Sequence, residues 1–316
     1  MITGGWFMNY EKKEGSFLSD NGINDIHYFI YKPNTEVKAL LQISHGMCEY
    51  IERYEPVIDF LTGHGILVFG NDHLGHKTSA ASDAELGYMG TKDGWRHMVE
   101  DVHKMTMLMK EQYPNLKLFL WGHSMGSFIA RADAAYHGND YDGLIICGTG
   151  GRSGAAKAGL KVIRMVRKFK GDRYRSKFLT NVMFGSYNKK YENPKTEYDW
   201  LTHDEAVIDK YMKDKYCTFT FTAAAYEDLV NVLLFVSSDE WDGMVPTNLP
   251  IFMISGDMDP VGDFGNGIKE VDSRLRKLNR ADYSMKLYKD MRHEIHNEIG
   301  KEEVWNDILE FVTKRI

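Results

Sequence analysis

Gly122-His123-Ser124-Met125-Gly126 sets a serine between two glycines in a G-x-S-x-G pattern. A serine hydroxyl is a weak nucleophile unless the backbone presents it and a neighbouring base takes its proton. The flanking sequence supplies the presentation. Leu118-Phe119-Leu120-Trp121 reads as a strand running into the motif, and the alanine-rich stretch 127–136 reads as a helix leaving it, with Gly138 as its stop. In such a strand–turn–helix the serine backbone is strained and the main chain crowds both glycines, where a Cβ would clash. The competing reading is an ordinary serine in a glycine-rich turn.

Attack on an ester carbonyl also needs donors aimed at the developing oxyanion. One is the backbone N–H of the residue after the nucleophile, Met125. The second is assigned to Met47, because His45-Gly46-Met47 directly follows an early apolar strand; His45 reads as a structural imidazole shaping that loop, with catalytic base as its rival role. The acid and the histidine are expected after the serine, in that order. The apolar run Pro250-Ile251-Phe252-Met253-Ile254 leads into Ser255-Gly256-Asp257-Met258-Asp259, where Asp257 and Asp259 compete for the carboxylate role. A later strand leads into Lys289-Asp290-Met291-Arg292-His293-Glu294, which puts His293 in a loop before the last helix, with His296 as its rival. Such a set cleaves carboxylic esters through an acyl-enzyme and needs neither metal nor organic cofactor. A serine peptidase or amidase would use the same side chains, and a non-catalytic binding module could share the scaffold. A metallohydrolase built on Asp72, His73 and His76, with His293 and His296, lacks any H-E-x-x-H pattern.

Strands are expected at 26–31, 39–43, 66–69, 117–121, 144–147, 251–254 and 284–288, alternating with helix-period stretches. That is the pattern of an α/β fold with a mostly parallel central sheet flanked by helices. The clearest helix begins after Asp93 as its N-cap, carries Trp95, Met98, Val102, Met105 and Met109 at three- and four-residue steps, and stops before Pro114.

The 316 residues, 43% of them hydrophobic, suffice for a large core. A net charge of −6 and a pI near 6.1 argue against a nucleic-acid partner. No apolar run approaches the roughly 20 residues of a spanning helix. The N-terminus shows no basic start followed by an apolar stretch, and Cys48, Cys147 and Cys217 are far apart and odd in number. Free thiols in a reducing cytoplasm are the expectation.

One segment differs. From Arg152 to Lys177 ten basic residues stand against the single acid Asp172. Within it, Ala158, Val162, Met165, Val166 and Phe169 share a helical face, with Lys157, Lys161, Arg164 and Lys168 on another. A basic amphipathic helix of this kind can pack as the solvated helix of a lid, its apolar stripe on the main domain, or lie on an anionic membrane through residues 157–177. Phe178, Leu179, Met183 and Phe184 are the candidate lining of an apolar substrate pocket, together with Met47 and Met125.

Taken together these residues resemble the monoacylglycerol lipase and lysophospholipase group of α/β-hydrolases, also described as serine-aminopeptidase-like. His45-Gly46 with Glu49, Arg53 and Tyr54 is similar to that group's H-G-x-x-E-x-x-x-R-Y stretch. Asp72-His73-Leu74-Gly75-His76 with Ser79 is similar to its D-x-x-G-H-G-x-S segment, Gly122 to Gly126 to its G-H-S-M-G, Gly256 and Asp259 to its G-x-x-D turn, and His293-Glu294 to its final H-E. The resemblance implies an α/β-hydrolase core, 1–150 and 241–316, with a helical lid inserted at 151–240. It implies Ser124 as nucleophile, Asp259 as orienting acid and His293 as base, acting on lipid-like esters. Lys77 and Ser127 depart from it, each standing where the group often has glycine.

Overall fold

The computed structural model describes residues 8–278 and 280–316; residues 1–7, which open the N-terminal stretch read above, lie outside the described residues. The chain runs β1 (Tyr10–Leu18), β2 (Asp25–Pro33), β3 (Ala39–Ser44), α1 (Glu55–Gly63), β4 (Ile66–Asn71), α2 (Gly94–Gln112), β5 (Leu118–His123), α3 (Met125–His137) and β6 (Gly143–Cys147). Between β6 and β7 come α4 (Gly154–Lys170), α5 (Lys177–Phe184), α6 (Glu205–Lys213), α7 (Ala223–Val236) and α8 (Asp239–Met244). The chain then closes with β7 (Ile251–Gly256), α9 (Asn266–Lys277), β8 (Tyr283–Tyr288) and α10 (Lys301–Thr313).

Among the described residues eight strands form one sheet in the order β1-β2-β4-β3-β5-β6-β7-β8. Pairing is antiparallel from β1 through β2 to β4 and parallel from β4 to β8. The central strands are apolar on both faces because helices cover both. Leu40, Leu120, Leu144, Ile146 and Met253 pack with α2, α3 and α7, while Leu41, Ile43, Phe119, Trp121, Ile145 and Ile254 pack with α1 and α10. The expected strands are all present. β1 is additional: its pattern is half-polar, with Glu11, Lys12, Lys13 and Glu14, as suits an edge strand that pairs on one side.

Two local expectations change. Asp93 does precede α2, but in a left-handed backbone conformation and without a side-chain cap. In α4 the inward face is carried by Leu160 and Ile163 rather than by the whole 158–169 stripe, and Met165 and Phe169 stand 61% and 76% exposed. Leu160 and Ile163 enter the core with Val162 and Val166 partly buried beside them, while Arg164 and Arg167 bond Glu227 of α7. α7 buries Ala223, Ala225, Tyr226, Val230 and Val232 in the same core as α2 and α3.

Parallel strands bring their carboxyl ends to one edge, and the chain places there the residues following β3, β4, β5, β6, β7 and β8. Among the described residues no helix is long and apolar enough to cross a membrane.

Candidate active site

Ser124 is the single residue between β5 and α3, with φ 53° and ψ −122°. A left-handed, non-glycine backbone of this kind costs of order 1–3 kcal/mol and must be held by its surroundings. Its N–H donates to the Cys147 carbonyl at 3.0 Å, pinning the turn to the end of β6, and its carbonyl accepts the Ser127 hydroxyl. Ser127, where the resemblance expects glycine, thus braces the elbow. A Cβ on Gly126 would strike the carbonyls of Ser44 and His45, and one on Gly122 would lie 2.7 Å from Ser127 Cα. Both glycines are required by close main-chain approach.

The loop after β3 runs alongside. A Cβ on Gly46 would lie 3.1 Å from the Ser124 Cβ, so Met47 follows directly beside the serine. The Met125 N–H belongs to the first turn of α3, which has no intrahelical acceptor, and the Met47 N–H meets no acceptor among the described residues. His45 accepts the His73 N–H on Nε2 at 2.8 Å, so Nδ1 carries the proton and donates to the Gly46 carbonyl at 2.8 Å. Its imidazole shapes the loop, and burial holds its pKa well below the ordinary value, with His73 and His76 adding to the effect.

His293 donates from Nδ1 to Asp259 Oδ1 at 2.9 Å, with both side chains buried. A carboxylate can only accept here, so the imidazole proton is on Nδ1 and Nε2 is left with a lone pair. Asp259 is fixed in turn by the Val261 N–H at 2.8 Å and the Ser255 hydroxyl at 3.2 Å. Asp257 points elsewhere, accepting the Asp290 N–H at 2.8 Å. Burial pulls the His293 pKa down, but the charge and hydrogen bond of Asp259 outweigh it and the net shift is upward. A Cβ on Gly148, the residue after Cys147, would lie 3.2 Å from His293 Cε1, which sets this ring beside the Ser124 turn. Ser124 Oγ and His293 are not hydrogen-bonded here, an open geometry common before substrate arrives. His296 forms no part of the pair: it is buried against Tyr54, rings 4.7 Å apart, and desolvation drops its pKa to about 3.

A buried ion cluster joins the two loops. Glu49 accepts the Gly46 N–H and, at 2.8 Å, the Tyr54 hydroxyl. Arg53 donates to Glu49 at 2.9 Å and grips Glu294 through two bonds of 2.9 and 2.8 Å. One guanidinium thus ties the Gly46 turn to the residue next to His293. Burial raises both carboxyl pKa values; the Arg53 fork overcomes this at Glu294 and holds it to about 2, while Glu49 stays pushed up.

The remaining candidates separate. Leu179 is buried, Met183 and Phe184 are partly buried against the core, and Phe178 on the opposite side of α5 is 58% exposed and does not join them. The Phe184 ring stacks toward Trp200 at 6.4 Å, and Trp200 lies 5.1 Å from His293. Nothing in the sequence singled out Trp200; its signal is only an aromatic in a segment without strong helical period. Asp72 spends its carboxylate on the Ile51 N–H and on Thr78, so it is not assembled with His73 and His76 as a ligand set. Lys77 adopts φ 34°, a conformation glycine takes freely, and its ammonium pairs with Glu52 and lies 3.9 Å from the Tyr50 ring centroid. A separate groove of about 680 Å³ lined by Phe17, Leu18, Met107 and Leu108 lies between β1 and α2.

Comparison with known proteins follows the same lines. The family model described as "Serine aminopeptidase, S33" matches residues 35–300. The chain is similar to a solved, highly thermostable carboxyl esterase from Bacillus coagulans in complex with glycerol, 33% identical, covering 96% of this chain and 98% of that one at a TM-score of 0.90. It is similar to the monoacylglycerol lipase of Mycolicibacterium smegmatis, 22% identical over 96% of this chain and 98% of that protein. Human monoglyceride lipase is 35% identical over 37% of this chain and 36% of its own length, and the Monkeypox virus monoglyceride lipase homolog is matched over 43% of its length.

Proposed function

The chain belongs to the serine aminopeptidase S33 family and has the α/β-hydrolase fold, and on that premise we propose that it is a serine hydrolase cleaving carboxylic esters of monoacylglycerol- or lysophospholipid-like substrates. The observation that carries this reading is the buried Asp259–His293 pair, 2.9 Å apart, together with a serine held at φ 53° between β5 and α3. His293 Nε2 takes the Ser124 proton as Oγ attacks the ester carbonyl. The Met47 and Met125 N–H groups receive the oxyanion, and the imidazolium then protonates the leaving alcohol. Water repeats the sequence and frees the acid. Similar chains named monoglyceride or monoacylglycerol lipase support a glycerol-ester substrate.

In this proposal the segment 151–240 acts as a lid, and Leu179, Met183 and Phe184 line the acyl side with Trp200 at the base. Outside, Met165, Phe169, Phe178 and Val182 are exposed beside Lys161, Lys168, Lys170 and Lys177. Apolar and basic side chains side by side suit an anionic lipid surface. A cytoplasmic location fits three buried free thiols, and recovery of the native protein from a secreted fraction would contradict it.

The substrate class is tested with nitrophenyl esters from acetate to palmitate and matching anilides. kcat/KM rising from acetate to medium or long acyl chains supports a lipid ester. A flat or falling series, or faster cleavage of the anilides, overturns it.

A further inference from the structure

Met47 sits in a loop anchored from two directions. Toward the core, the Gly46 N–H bonds Glu49, and Gly46 closely approaches the Ser124 Cβ. On the other side the anchors come from the turn after α6. The Tyr50 hydroxyl donates to Asp214 Oδ2 at 2.6 Å, and the Cys48 thiol donates to the Phe219 carbonyl at 3.3 Å. These partners lie 164 and 171 positions along the chain from the loop. The turn is itself fixed. Asp214 caps the end of α6, and its Oδ1 accepts the Tyr216 N–H at 2.8 Å. Its carbonyl accepts the Cys217 N–H and the Thr218 hydroxyl, each at 3.0 Å. Oδ2 is left to receive Tyr50.

Backbone strain lies beside Met47. Cys48 takes φ 54°, a left-handed conformation that a non-glycine residue keeps only where its surroundings impose it. Lys77, where the resemblance expects glycine, is strained as well and brings its ammonium 3.9 Å from the Tyr50 ring centroid. Tyr216 meets the same ring edge-on, with centroids 6.3 Å apart. Burial, reinforced by Asp214, holds the Tyr50 pKa well above its ordinary value, so the hydroxyl stays a donor. Tyr50 and Trp200 pack on one cluster of Leu201, Tyr211 and Cys217, and Trp200 lies 5.1 Å from His293. We propose that Tyr50 is a positioning residue for the oxyanion donor: its bond to Asp214, with the Cys48–Phe219 bond beside it, holds the Met47 N–H where charge develops. This rests on the functional reading above, in which Met47 supplies that N–H. Such a donor works at about 2.7–3.1 Å from the oxyanion, and a misplacement of about 1 Å can cost about a hundredfold in rate. A loop holds an N–H that closely only when supporting bonds lock it. Tyr50 acts through the backbone of its own loop rather than by touching substrate.

Tyr50→Phe keeps the ring beneath Lys77 and removes only the hydroxyl. With nitrophenyl butyrate, kcat should fall about tenfold, part of the roughly hundred- to thousandfold loss on deleting an oxyanion donor. KM should stay within about twofold, because the lost interaction belongs to the transition state. Affinity for an aryl trifluoromethyl ketone, which binds serine as a hemiketal oxyanion, should weaken by the same factor as kcat/KM. Asp214→Asn retains an oxygen that accepts the Tyr50 hydroxyl and should keep most of the rate, whereas Asp214→Ala should match Tyr50→Phe. Hydrogen exchange of the peptide spanning 45–50 needs no turnover, and it should quicken in Tyr50→Phe. Unchanged exchange, unchanged kcat and ketone affinity, or a loss confined to KM would each overturn the proposal. A wild type without ester turnover or fluorophosphonate labelling sinks the functional reading and this role with it. A fully active wild type beside an unaffected Tyr50→Phe sinks this proposal alone.

Discussion

Replacing Arg53 by methionine should be among the most destabilising single changes near the candidate site. The side chains of Glu49 and Glu294 are each 3% exposed, and three Arg53 hydrogen bonds of 2.8–2.9 Å are their shared compensation. Removing one partner of a buried ion pair costs about 3–5 kcal/mol, because the remaining charge is stranded. With an unfolding entropy of about 2.1 cal/mol/K per residue, that lowers Tm by about 5–8 °C for 316 residues. The pH dependence gives a second handle. Glu294 in the wild type is held below its unfolded value, so its stabilisation is present above about pH 4.3 and is lost only as pH falls toward about 2. Without Arg53 burial raises both carboxyls above their unfolded values. That penalty is full above their folded pKa values and is relieved as pH falls through them. The deficit of Arg53→Met, read by urea unfolding, should therefore be largest above about pH 7 and shrink toward about pH 5. Paired with Glu294→Gln it should be less than additive, by about 0.5–3 kcal/mol. A loss under about 1 kcal/mol, independent of pH and additive with Glu294→Gln, would refute the idea that this guanidinium holds the two loops together.

Catalysis should also follow pH. His293 must be neutral to act as base and its pKa is raised, so kcat/KM should climb about tenfold per pH unit in the acid limb and level off above the ordinary imidazole value of about 6.5; His123 and His296, held far below, would not give that inflection. Asp259→Asn should move the inflection down and cost roughly ten-thousand-fold in rate, whereas an unshifted profile would argue against the pair. On the outer face, Phe169→Ser with Phe178→Ser should weaken co-sedimentation with anionic phosphatidylglycerol vesicles while soluble-ester turnover is kept; binding unchanged from wild type would remove the membrane role.

What the sequence disclosed follows from physics that acts locally. The central strands are apolar on both faces because the sheet is covered twice, and the G-x-S-x-G turn carries its glycines because carbonyls of Ser44 and His45 press on it. β1 is hidden by the opposite cause, since an edge strand with four consecutive charged residues, Glu11 to Glu14, looks like a solvated segment. The orientation of α4 could not be read from its own stripe, because the side chains that Leu160 and Ile163 pack against, and Glu227 that Arg164 and Arg167 bond, come from distant parts of the chain. Asp257 and Asp259 are equivalent by spacing alone, and only the fold shows which carboxylate turns toward His293. The Arg53–Glu294 fork spans 241 positions, so motif resemblance marked its members without revealing that they touch.

Covalent labelling tests the central claim most directly. The full chain is treated with a fluorophosphonate probe, digested and mapped by mass spectrometry, alongside Ser124→Ala. The expected result is a single adduct on Ser124, with label and ester turnover both lost in a Ser124→Ala protein of unchanged melting behaviour. An adduct on another residue, or turnover that survives in Ser124→Ala, would contradict Ser124 as the nucleophile.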